Sequence, residues 1–92
     1  MLKPLLQERL ESLVTALTGT PSSSRQEHAQ ELINFLSANH ETEAIAYAVA
    51  KAAVHKRAFG KTLGVETFLF WASQQLSYPD FYKAFHFFNP KA

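Results

Sequence analysis

The chain predicts an all-α fold, a small bundle of four main helices with a short carboxyl-terminal one. Three observations carry this expectation. Apolar residues recur at three- and four-residue spacing in separate segments, short polar or glycine-bearing links stand between those segments, and no stretch alternates with a period of two for long enough to form a strand.

The first helix is expected over 4–18. Leu6, Leu10, Leu13, Val14 and Leu17 share a face, Pro4 suits a first turn, and Gly19 followed by Pro21 is a stop. The link GTPSSS follows, and its last serine, Ser24, stands three residues before Glu27, the spacing of a capping box. The second helix then covers 25–38 and turns Ala29, Leu32, Ile33 and Leu36 inward. Asn39 to Thr42 read as a turn and cap. The third helix, 43–59, is alanine-rich and meets no breaker before Gly60. Ile45, Ala48, Val49, Ala52 and Phe59 lie on one face, while Ala46, Ala50 and Ala53 leave room for a close neighbour, so this helix reads as the central one. GKTLG is a tight connection to a fourth helix over 65–76, whose inward stripe is Val65, Phe68, Leu69, Ala72 and Leu76. Ser77, with Asp80 three residues on and Pro79 between them, caps a fifth helix over 79–88.

Composition bounds the function. With 92 residues, 47% of them apolar and only three glycines and four prolines, residues 1–92 read as a single folded domain with a thin core. The absence of cysteine removes disulfide scaffolds, thiolate metal sites and cysteine nucleophiles. Gln7, Glu8, Arg9 and Glu11 interrupt the amino-terminal apolar residues, so a secretory signal is not expected, and cytoplasmic residence is the default expectation. Nine Lys and Arg balance eight Asp and Glu. That balance argues against non-specific binding to nucleic acid or anionic lipid. The charges are nonetheless uneven, with acids prevailing from Glu27 to Glu43 and an acid-free basic stretch holding Lys51, Lys56, Arg57 and Lys61.

Three groups of residues could carry chemistry. His28 with Glu31, and His40 with Glu43, pair an imidazole with a carboxylate at helical spacing, which suits a transition metal. The order is the reverse of the Glu-then-His pattern of di-iron bundles, and only Glu8 and Glu11 of the first helix could add ligands. A His/Glu metal-binding helical protein is therefore a second alternative, with no metal site or cofactor expected. The stretch GKTLGVETFLFWAS has a superficial likeness to a helix-turn-helix, in which Lys56, Arg57, Lys61 and Thr67 would meet nucleic acid. Glu66 and a row of aromatic residues sit where that motif places base-reading side chains, and the three cations of the third helix point in different directions around it. His55, one turn before Phe59, is the third group. No nucleophile accompanies it, and Asp80 and His86 are six residues apart, so no triad or small-molecule substrate site is expected and the protein is not expected to be an enzyme.

The aromatic residues between Val65 and Pro90 exceed what the inward stripes require. Phe70 and Trp71 project away from the stripe of the fourth helix. Phe81, Tyr82, Phe85 and Phe88 form the apolar side of the fifth, with Phe87 outside it. The favoured expectation is a non-catalytic interaction module, homodimeric or an adaptor and regulator of a larger assembly. Phe70, Trp71, Tyr82, Phe85, Phe87 and Phe88 would line its protein-binding face. The alternative is a DNA-binding regulator using the basic set above.

Overall fold

A computed structural model describes residues 3–19, 25–39, 41–60 and 63–87, and within those it leaves aside the side chains of Asn39 and Phe59. Among the described residues there are five helices and no strand: α1 (Pro4–Gly19), α2 (Arg25–Asn39), α3 (Thr42–Phe59), α4 (Val65–Gln75) and α5 (Tyr78–Phe85). The fold is all-α, with four main helices and a short last one, as the periodicity predicts.

The expected faces are the buried ones. Leu10, Leu13, Val14 and Leu17 of α1, Ala29, Leu32, Ile33 and Leu36 of α2, and Val65, Phe68, Leu69 and Ala72 of α4, with Leu76 just beyond it, all enter one core. From α3 come Ile45, Ala48, Val49 and Ala52, joined by Ala44. Phe59, also expected inside, has its side chain outside the described set.

The packing order explains why α3 is so rich in alanine. α1 packs on α2 and α3, and α4 packs on the same two, so the four helices form a ring in the order α1–α2–α4–α3, with α5 laid mainly on α3. α3 therefore has three neighbours. Small side chains on several of its sides let their axes come close. α5 uses this room, since Ala84, its one buried residue, shares a recess with Ala46 and Ala50.

The connections differ in how they end the helices. Gly60 caps α3 with φ +76°, and its N–H donates to the Lys56 carbonyl at 2.7 Å. Gly64 precedes α4 at φ +34°, pressed against the backbone of Arg25 at the start of α2. Neither α3 nor α4 has a side-chain cap: Glu41 and Gly64 hold the N-cap positions without one. The α5 cap is formed, with the Asp80 N–H donating to Ser77 Oγ at 3.3 Å. The capping box at Ser24 lies outside the described residues.

The fifth helix is shorter than expected. The His86 N–H still donates four residues back, to the Tyr82 carbonyl at 3.1 Å, but that of Phe87 turns to the Ala84 carbonyl only three back, at 3.2 Å, and the α-helical ladder ends in this tighter turn. Phe88, assigned to this helix from sequence, lies outside the described residues.

Candidate functional site

The helix packing turns the aromatic residues of α4 and α5 to different fates. Phe68 is enclosed and holds Trp71 beside it, ring centres 6.2 Å apart, so Trp71 is half-buried on the core instead of standing off it. Phe85 also packs on the core, stacked one turn from Phe81 with centroids 6.0 Å apart. The expected contact set thus divides. Phe70, Tyr82 and Phe87 are exposed, at 70%, 54% and 71%, whereas Trp71 and Phe85 give most of their surface to the fold. Tyr82, placed on the apolar side of the fifth helix from sequence, stands clear of it because Ala84 makes the close contact instead.

Sequence reasoning missed Tyr78, which is 78% exposed. The signal was present, since Tyr78 and Tyr82 are one turn apart. Their rings lie 6.2 Å apart, and Tyr82 in turn meets the half-buried His86 imidazole at 4.4 Å, giving a ladder from α5 to its cap in which the two tyrosines are exposed.

On another side of α5 a recess of about 600 Å³ opens between this helix, α3 and the start of α1. Ala46, Tyr47 and Ala50 of α3 line it together with Ala84 and Phe87, and Asp80 and Lys83 stand at it from α5. It is chiefly apolar, and its volume is in the range of ligand and side-chain pockets.

The basic residues are engaged within the fold. Lys56 forms an ion pair with Glu66 of α4. The Arg57 guanidinium donates to the Phe85 carbonyl at 2.7 Å and lies 6.0 Å from the centre of that ring. Lys51 reaches Glu11 of α1 at 3.6 Å. The three cations thus reach three different helices and make no common stripe. Thr67 is half-buried, and Lys61 lies outside the described residues. Arg57 ties α5 to the end of α3, where a cation also complements the helix dipole.

Of the metal candidates, His28 and Glu31 do meet, at 3.8 Å, on an exposed part of α2. No group of three or more His, Cys, Asp or Glu side chains converges among the described residues. His40 lies outside them, and Glu43 is exposed.

His55 is half-buried between α1 and α3 beside a smaller hollow of about 320 Å³. Burial lowers its pKa from the usual 6.5, and the positive charge of Arg25 lowers it further. The unfolded chain therefore takes up this proton first as pH falls, and stability drops once pH passes below about 6.5. His55→Gln should flatten that part of the profile, which urea unfolding between about pH 5 and pH 8 would read. An unchanged slope would show that His55 does not carry it.

No helix among the described residues is long and apolar enough to cross a membrane. Compared with known proteins, the chain matches no family model, no curated protein and no solved structure, so a functional reading rests on its own geometry.

Proposed function

We propose that this chain is a small, non-catalytic interaction module that associates with itself through its carboxyl-terminal aromatic surface. One observation carries the reading: α4, α5 and the residue pair after it leave four large aromatic side chains, Phe70, Tyr78, Tyr82 and Phe87, largely exposed, whereas the exposed aliphatic residues Leu5, Val54 and Leu63 are scattered over α1, α3 and the α3–α4 connection. Large aromatic side chains held on rigid helices lose little conformational entropy when covered, which is why such residues anchor interfaces. The mechanism would be burial of these anchors, with the Arg57 contacts holding α5 in place to present them.

The DNA-binding alternative has less support, because Lys56 and Arg57 are committed to Glu66 and to Phe85. Phosphate contacts would have to compete with these partners.

The test uses Phe70→Ser, Tyr82→Ser and Phe87→Ser, separately and together. Each exposed ring should shift monomer stability by no more than about 0.5 kcal/mol, as is usual for surface positions. Together the substitutions should weaken association at least tenfold in sedimentation equilibrium. Lost stability with unchanged association would return these rings to a structural role.

A further inference from the structure

We propose that the recess between α3 and α5 receives the same element of a second copy, so that two α5 helices pair antiparallel about a two-fold axis. Asp80 of each copy would then meet Lys83 of the other. The inference rests on the self-association reading and places the contact on the recess side of α5, which of the four exposed aromatic residues includes Phe87 alone.

An isologous contact requires a patch that is complementary to itself. The recess side of α5 has that property. Asp80 and Lys83 both stand at the recess, both are exposed, and they lie three residues apart, about 4.5 Å along the helix axis. A two-fold axis midway between them brings each carboxylate opposite an ammonium, twice over. Ala84 and Phe87 share that side and supply apolar surface next to the charges. A strongly acidic partner would be repelled by Asp80 and by Glu43 on the α3 wall, and a strongly basic one by Lys83. A second copy satisfies Asp80 and Lys83 alike.

Area sets a further condition. A stable interface covers about 800 Å² on each partner. An eight-residue helix is only about 12 Å long, so it cannot supply that alone. The α3 wall of the recess, with Ala46, Tyr47 and Ala50, must contribute. Because the charge pairs sit at a wet edge, the contact should also weaken as salt is raised.

The experiment measures mass in solution for wild type, Asp80→Lys, Lys83→Asp, an equimolar mixture of these two variants, and the double variant carrying both substitutions. Each single variant faces its own kind across the axis with like charges, and should dimerise at least tenfold more weakly than wild type. The mixture restores both opposite-charge contacts, as does the double variant, so both should regain the dimer. The double variant also controls for fraying, since it places a cation in the first turn of α5 and an anion in the last, both unfavourable to the helix itself. Because the double variant also restores an opposite-charge i,i+3 pair within its own helix, recovery of the mixture, in which each chain keeps two like charges, is the result that reports pairing between copies.

Three outcomes would overturn the proposal. If single variants dimerise like wild type, the recess is not the contact, and the self-association reading survives on the Phe70 and Tyr78–Tyr82 surface. If neither the mixture nor the double variant recovers, the loss came from a damaged α5 and the reciprocal pairing is wrong. A monomeric wild type would remove this proposal and the self-association reading together.

Discussion

Phe68→Ala is expected to cost about 3–5 kcal/mol, the largest effect of any single truncation in this chain. Phe68 is the largest side chain that is fully enclosed, at 0% exposure, and it projects from the first turns of α4 into the ring formed with α2 and α3. Removing it leaves a hole that rigid helix backbones close only in part, so the loss combines transfer of the ring with an unfilled cavity. Trp71, resting against the Phe68 ring, would lose its support at the same time. A domain of this size has about 5–14 kcal/mol in hand, so the variant should stay marginally folded, with a melting temperature lower by well over 10 °C. Urea unfolding of wild type and variant measures it directly. A cost under about 1 kcal/mol would mean that the α4 stripe is not the centre of the core.

Gly64→Ala should be nearly as damaging, although it only adds a methyl group. At φ +34° an L side chain is strained in any surroundings, at a cost of about 1–2 kcal/mol. Here the added Cβ would also lie 2.7 Å from both the Cβ and the carbonyl oxygen of Arg25, and backbone at the start of α2 has little freedom to retreat. Overpacking of this kind adds about 1–3 kcal/mol. Gly60 provides the comparison. Its φ is also positive, at +76°, but nothing among the described residues lies within 4 Å of a Cβ built on it. Gly60→Ala should therefore show the backbone strain alone, at about 1–2 kcal/mol. Equal losses at the two positions would contradict the close approach between the α3–α4 connection and α2.

The helices were legible because each carries its own periodic signal. The faces of α1, α2 and α4 follow directly from three-four spacing in leucine, valine and phenylalanine, and the Ser77 cap from its distance to Asp80. The contacts between helices carry no such local mark. Arg57 meets the Phe85 carbonyl across 28 positions of sequence, and nothing near either residue announces it. The clash that makes Gly64 indispensable comes from Arg25, an early residue of α2.

The aromatic surface lies between these cases. An excess of rings over core positions was readable, and so was the escape of Phe70 and Phe87 from the inward stripes. Which rings of α5 would be covered depended on how that helix settles on α3. Its closest approach is through Ala84, a residue without distinction in sequence, and this leaves Tyr82 outside while turning Phe85 inward. Tyr78 stands between Ser77 and Pro79, ahead of the apolar side that Phe81 begins, so no stripe points to it. The recess at Ala46 and Ala50 was half visible: small residues there implied a close neighbour, but not which helix or what would remain uncovered.

The most direct test of the account is the mass of the wild-type chain by light scattering across a dilution series. The account predicts a species of twice the 10.4 kDa chain mass that dissociates on dilution. A mass of 10.4 kDa at every concentration would contradict it.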